Sequence, residues 1–328
     1  MASKRGKMKH FRPVLLLAAG VAVYIGGPVG YYFLPWSVRR PIYKTAPKLD
    51  RALRLRGFKT VEGWDGLGLW GRDCRTALEG RSGGEHVYGG NPSQGLKLFD
   101  RVTVLKNESY IVGYSDSMQN PLWVAYRVFD VPSLDSGKRP SSFRIDQRTE
   151  AKVPSTAFRG SGYDRGHMAP NHAIATRYGV DGQRETFLMS NVVPQTPRIN
   201  RYIWKDLEAR VSRRYGRYFS EVWVVTGPVF SEPVDRLDSG VAIPSGYYKI
   251  LVDESGDALR VLAFLVESDC PPYTRIKSRL VSVDELEEST GLDFFPRLSE
   301  SVQAEIEVQP AGRLWPWLVP AIRYSVHP

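Results

Sequence analysis

The stretch Gly160-Ser-Gly-Tyr-Asp-Arg-Gly-His-Met-Ala-Pro170 decides how this chain is read. It sets an acid, a guanidinium and an imidazole among glycines, a composition that lets a tight backbone bring polar groups close to a ligand. Histidine is scarce: His10, His86, His167, His172 and His327. His10 belongs to a basic N-terminal segment and His327 to the extreme end, so a histidine base must come from the other three. His167 stands out by its company. Taken alone, Asp164-Arg-Gly-His167 reads equally as a turn closed by an internal salt bridge.

The next segment shifts the balance. Ser190-Asn-Val-Val-Pro-Gln195 ends a strand, and Pro197-Arg-Ile-Asn-Arg-Tyr-Ile-Trp-Lys-Asp-Leu-Glu208 opens a helix whose apolar stripe is Ile199, Tyr202, Ile203, Leu207 and Val211. Asn200 falls in the first turn, where its side-chain oxygen can face a cation or cap the helix. At ~100° per residue, Glu208 lies two turns on and about 80° around the axis. A strand bearing a histidine, a second strand, and a helix bearing an amide and an acid make a compact ββα unit. Oxygen ligands without cysteine favour Mg²⁺, Mn²⁺ or Ca²⁺ over zinc. The helix flank carries Arg198, Arg201, Lys205, Arg210, Arg213, Arg214 and Arg217 against Asp206 and Glu208. Such a run usually marks a solvated face; beside a metal and an imidazole it reads better as a phosphate track.

The surrounding pattern is that of strands and turns. Ser109–Tyr114, Leu122–Val128, Phe187–Val193, Glu221–Thr226, Tyr247–Val252 and Leu259–Glu267 are rich in β-branched and aromatic residues. Ser282–Glu288 predicts a second helix, capped by Ser282 with Glu285 three residues on. Antiparallel strands with interspersed helices give an α+β fold.

These residues resemble the DNA/RNA non-specific endonuclease family, the ββα-metal nucleases that include secreted bacterial nucleases and mitochondrial endonuclease G. The likeness rests on Tyr163-Asp-Arg-Gly-His-Met-Ala-Pro170, Phe187-Leu-Met-Ser-Asn191 and Pro194-Gln-x-x-x-x-Asn200-x-x-x-Trp204-x-x-Leu207-Glu208. Trp123-Val-Ala-Tyr126, Phe143-Arg-x-Asp146 and Thr226-Gly-Pro-Val-Phe230 match as well. The resemblance implies a central antiparallel sheet flanked by helices and a metal-dependent, sugar-non-specific endonuclease. It implies His167 as general base, Asn200 as ligand of one hydrated Mg²⁺, and Glu208 holding metal-bound water. Arg165 and Arg144 would contact substrate, with Arg201 and Asn191 beside them and Asp164 in support. Homodimers are common in the family. Two alternatives remain: a membrane-anchored 5′-exonuclease of the same fold, and a nucleic-acid-binding protein without turnover.

Composition sets the outer bounds. The 328 residues are 42% hydrophobic and 24% charged, enough for a real core, which argues against disorder. Two cysteines, Cys74 and Cys270, exclude a Cys-rich zinc module; they suit one disulfide or two separate buried thiols. The net charge of +10 is mostly terminal, because residues 1–40 hold Lys4, Arg5, Lys7, Lys9, Arg12, Arg39, Arg40 and no acid. The remainder is close to neutral, so charge alone does not make a nucleic-acid binder.

An uncharged run from Pro13 to Val38 follows the basic start, apolar over Val14–Ile25 and broken by Gly26, Gly27, Pro28, Gly30 and Pro35. It reads first as an uncleaved signal anchor, then as a cleaved signal peptide, then as a mitochondrial presequence. Each places the folded part outside the cytosol: periplasmic or extracellular, or mitochondrial in a eukaryote, with the membrane as partner in the first case. The expected organisation is a targeting segment over 1–40, a linker over 41–85 with a short helix near Val61–Gly71 at best, the nuclease domain over 86–300 and a C-terminal tail over 301–328.

Overall fold

The computed structural model describes residues 26–65, 67, 74–77, 82–94, 101–130, 134, 137–219, 221–254 and 258–315, without the side chains of 36, 74, 75 and 77. They fall into two units, one of residues up to 66 with 273–275, the other of the remainder. The apolar run Val14–Ile25 lies outside the described residues. Among the described residues no helix is long and apolar enough to cross a membrane.

The first unit is helical where a linker was expected. Its helices are α1 (Gly27–Phe33), α2 (Trp36–Thr45) and α3 (Pro47–Asp65). The residues that argued against helix, Pro28 and Pro35, stand at helix starts, where a missing N–H breaks no bond. Gly57 of α3 sits so close to α1 that a Cβ there would lie 2.1 Å from the Pro28 carbonyl oxygen. The Tyr31 hydroxyl donates to Asp50 Oδ1 at 2.8 Å, and Arg39 Nη1 reaches the same oxygen at 3.3 Å.

The second unit is an α+β domain. In chain order its elements are β1 (Cys74–Ala77), β2 (Ser93–Gln94), β3 (Val102–Lys106), β4 (Ile111–Ser115), β5 (Asn120–Phe129), β6 (Asp164–His167), α4 (Asn171–Glu185) and β7 (Val192–Gln195). There follow α5 (Trp204–Arg210), flanked by wide π-helical turns Ile199–Ile203 and Val211–Tyr215, then α6 (Gly216–Tyr218), β8 (Glu221–Val229), β9 (Gly246–Asp253) and β10 (Ala258–Glu267). Last come β11 (Leu280–Val281), α7 (Val283–Thr290), β12 (Leu292–Asp293) and α8 (Glu300–Ile306). The main sheet is antiparallel, in the order β1-β10-β9-β8-β5-β4-β3, with β11 also on β10. Two small ribbons, β6-β7 and β2-β12, stand apart from it.

Period-2 alternation divides the sheet's side chains between two cores. Val222 and Val224 of β8, Tyr247 and Leu251 of β9, and Tyr126 of β5 pack with Ile203, Trp204 and Leu207 of the helical segment. Trp223 and Val225, Tyr248, Ile250 and Val252 face the other way, onto Leu286 of α7 and Val302 and Ile306 of α8. The Ser282 hydroxyl caps α7 by accepting from the Glu285 N–H at 3.1 Å, as its sequence indicates.

Several expectations need correction. Residues 187–193 are not one strand, because Met189–Asn191 turn tightly before β7 begins. Tyr202 is 39% exposed, out of the apolar stripe, because the π-turn adds a residue to that turn. The C-terminal region is more than a tail, since α8 packs on the core and Trp315 is buried against Tyr215 and Phe219. Cys270 is a buried free thiol, while the Cys74 side chain lies outside the described residues.

Candidate active site

The β6-β7 ribbon carries the site. Asp164 pairs with Gln195, Arg165 with Pro194, Gly166 with Val193 and His167 with Val192. Alternation turns Arg165 and His167 to one face, Asp164 and Gly166 to the other. Gly166 is fixed by packing: a Cβ there would meet Gln195 Oε1 at 2.1 Å and Cγ at 2.5 Å, and Gln195 is fully buried. Gly166→Ala should therefore destabilise the domain by about 1–3 kcal/mol through overpacking, read as a fall in the urea midpoint.

On the histidine face, the imidazole sits in an aromatic slot. Its ring centre is 5.1 Å from that of Phe143 and 5.2 Å from that of Phe187. Nε2 is buried and has no hydrogen-bond partner. Burial, reinforced by the Arg139 cation, pushes its pKa down to about 3, so the ring stays neutral at working pH. Two guanidiniums lie over the slot's walls: Arg165 at 5.5 Å from the Phe143 ring centre and Arg139 at 5.3 Å from that of Phe187. Arg144 is exposed beside them, and its main chain is pinned by Phe187 O to its N–H and by Met189 N–H to its carbonyl. Arg144 Nη2 donates to Arg184 O at 3.3 Å, and Arg165 Nη1 to Ser155 O at 2.9 Å.

On the other face Asp164 acts as a clamp. Its Oδ2 accepts from Asn200 Nδ2 at 3.0 Å and from Arg201 Nε at 2.9 Å, while Oδ1 accepts from Arg201 Nη2 at 2.8 Å. These bonds, Arg201 first, hold the Asp164 pKa below the usual carboxylate range. Asn200 lies in the π-turn before α5, a helix irregularity common at functional sites. Its amide nitrogen is taken by Asp164, which leaves the carbonyl oxygen as its open end. Asp164 thus holds Asn200 rather than His167, and Asn200 is no helix cap. The imidazole and the amide are linked through β6, not set side by side on one face.

Glu208 is half-buried and does not pair with exposed Lys205. The cation acting on it is Lys249 of β9, fully buried, 4.5 Å over the Trp204 ring and 3.1 Å from Thr226 Oγ1. Burial raises the Glu208 pKa and lowers that of Lys249, and each charge opposes the other's shift. The hard oxygens of Asn200 and Glu208, with a lysine to balance charge, fit a hydrated divalent cation better than a soft metal.

Other expected residues have different duties. Asn191 is wholly buried: its Oδ1 accepts from Ala169 N–H, and its Nδ2 donates to Ala169 O and Thr186 O. With every polar atom engaged it braces the ribbon and offers nothing to a substrate. Of the expected phosphate track, Arg210 is buried, Arg198 donates to Asp269 O and Arg201 is held by Asp164, while Lys205, Arg213 and Arg217 are exposed. His172 is exposed on α4. His86 is buried at a cavity of about 590 Å³ that also takes in Asn107, Glu108 and Arg297 and shares no residue with this site. Sequence reading missed Arg139, which carries no signal in Gly137-Lys-Arg-Pro140. It also missed Lys249, whose signal is a lone charge in an otherwise apolar strand.

Known nucleases are similar to this chain over much of its length. A nuclease from a Nostoc species is 36% identical over 239 residues, which cover 68% of this chain and 84% of the relative. Mitochondrial endonuclease G of Bos taurus is 31% identical over 301 residues, covering 86% and 94%. A crystal structure of an EndoG/EndoGI complex matches with TM-score 0.54 and 28% identity, over 62% of this chain and 89% of that one. The sequence profile of the DNA/RNA non-specific endonucleases matches residues 88–301. With that match and a ββα site on an antiparallel sheet, the chain belongs to the DNA/RNA non-specific endonuclease family and is a phosphodiester hydrolase.

Proposed function

We propose that the chain is a metal-dependent endonuclease cutting both DNA and RNA, with His167 as general base, Asn200 as the one protein ligand of a hydrated Mg²⁺, and Glu208 reaching that ion through water. The observation that carries this reading is the Asp164 clamp, which orients the Asn200 carbonyl from the same short strand that presents a neutral His167. A phosphodiester lying along the edge of that strand would touch both faces.

His167 takes a proton from the attacking water as its oxygen forms the new bond to phosphorus. The bond from phosphorus to the 3′-oxygen breaks, and that oxygen gains a proton from solvent, leaving a 5′-phosphate. Asn200, with Glu208 through water, would hold the Mg²⁺, which when bound would supply charge relief to the phosphate under attack. Arg165, Arg144 and Arg139 hold non-bridging phosphate oxygens, for which forked donors are well shaped. None of these groups reads a base edge, so both sugars and most sequences are accepted.

The basic, acid-free start of the chain supports export from the cytosol, the address lying ahead of α1, because residues from Gly27 onward pack within the helical unit. Relatives named as mitochondrial favour that compartment for a eukaryotic host. The nuclease domain we place over the second unit, which takes in β1 and α8 as well as residues 86–300 apart from 273–275. N-terminal sequencing of the mature protein identifies any cleavage point.

The full-length protein should convert supercoiled plasmid to open circles in Mg²⁺, degrade structured RNA, and stop in EDTA. A closed circle left intact while linear DNA is shortened would make it an exonuclease. Retention of DNA at low salt with no cleavage under any divalent ion would make it a binding protein.

A further inference from the structure

Three carboxylates outside the nuclease site converge where α7 and α8 meet. Asp284 and Glu287 lie on α7, and Glu307 follows α8. One oxygen of each lies within 4.8 Å of the others. The convergence is held by the backbone, because the Glu307 carbonyl accepts from the N–H groups of Val283 at 3.0 Å and Asp284 at 3.2 Å.

Glu307 is only 6% exposed, and its Oε1 is buried with no hydrogen-bond partner. Glu287 Oε1 accepts from the Phe294 N–H at 2.7 Å, which fixes that carboxylate's direction. Among the described residues none of the three forms an ion pair with a lysine or arginine. Asp293 accepts from the Ser93 hydroxyl at 2.7 Å and adds negative charge beside Glu307. A buried, partnerless carboxylate oxygen facing two more carboxylates is a group short of a cation.

We propose that Asp284, Glu287 and Glu307 form a structural Ca²⁺ site that ties α7 to the segment after α8, separate from the catalytic metal. Three oxygens within 4.8 Å of one another can close on one hard cation, and Ca²⁺, which takes six to eight oxygens in a flexible geometry, suits a set of unequal carboxylates better than Mg²⁺, which demands a near-ideal octahedron. Asp284 is exposed, so water completes the coordination sphere. Burial, then repulsion from neighbouring acids, lifts the Glu307 carboxyl to about 8; burial lifts Glu287 to about 7.

Equilibrium dialysis with ⁴⁵Ca²⁺ tests this on the full-length chain in the Asn200→Ala background, which removes the catalytic ligand. One Ca²⁺ should bind per chain at about 1 mM, and Tm should rise by a few degrees in Ca²⁺ over EDTA. Adding Glu307→Gln should abolish both effects while leaving the EDTA Tm equal or higher; should that variant not fold, Asp284→Asn at the exposed position gives the same readout. No Ca²⁺ bound to Asn200→Ala would overturn the proposal, and so would binding that survives both substitutions. A proton shared between Glu287 and Glu307 belongs to the first of these outcomes: no calcium binds, and stability falls as pH rises from about 4.5 to about 8.

Discussion

His167→Ala is expected to slow plasmid nicking by two to four orders of magnitude, the range for loss of a general base, while DNA affinity in EDTA stays within about twofold. The imidazole contacts Phe143 and Phe187 but makes no hydrogen bond through Nε2, so its removal costs packing and leaves no orphaned partner. A nicking rate equal to the parent's would remove His167 from the mechanism. The same residue sets two pH dependences. Because its pKa lies near 3 rather than 6.5, the base remains available at acid pH, and the acid limb of kcat/KM should not fall at pH 6.5 on its account. Its effect on stability follows from proton counts. Below pH 6.5 the unfolded chain binds a proton that the folded chain refuses until about pH 3, so stability falls as pH drops through that window, by at most about 1.4 kcal/mol per pH unit. His167→Ala should flatten that part of the pH–stability curve, as denaturant titrations between pH 7 and pH 4 would reveal.

Asn200→Ala should lower kcat at least about 100-fold and weaken the apparent Mg²⁺ affinity, again with little change in DNA affinity measured in EDTA. The fold should survive, since Asp164 keeps both bonds to Arg201 when the amide is gone. Asp164→Ala should give a milder loss of about 10–100-fold and a raised Mg²⁺ requirement, because it leaves the Asn200 oxygen present but free to rotate. Isothermal titration of Mn²⁺ into each variant separates a lost ligand from a misdirected one. Unchanged metal affinity in Asn200→Ala would exclude it as the ligand.

Much of the fold was legible because its signals are local. Strands β5, β8, β9 and β10 are dense in β-branched and aromatic residues, and the Ser282 cap announces α7. The site was legible because the residues of β6 and of the helix after β7 are chemically unusual company for one another. What was missed depends on distant contacts. Helix α4 is two helical stretches meeting at a kink at Gly179, with φ 74°, so its apolar spacing is not continuous, and Ala173 and Ile174 find their place only against the core. The exposure of Tyr202 follows from a π-turn that no spacing rule anticipates. The linker expectation over 41–85 failed because the mixed basic, glycine-bearing and apolar residues of 41–65 read as a loop, and only packing such as that of Gly57 against Pro28 settles them as helix. Asn191 looked like a ligand contact because a polar residue beside the motif reads the same whether it faces solvent or braces a loop.

Lys249 has a consequence for how the enzyme comes into being. The ammonium that balances Glu208 lies in the middle strand layer of the domain, roofed by the Trp204 ring. That charge reaches the helix only after sheet and helix have closed on each other. In a half-assembled copy, Glu208 lacks the cation that balances it. On the roles proposed for Asn200 and Glu208, the chemistry would be armed only by the final closure of the domain.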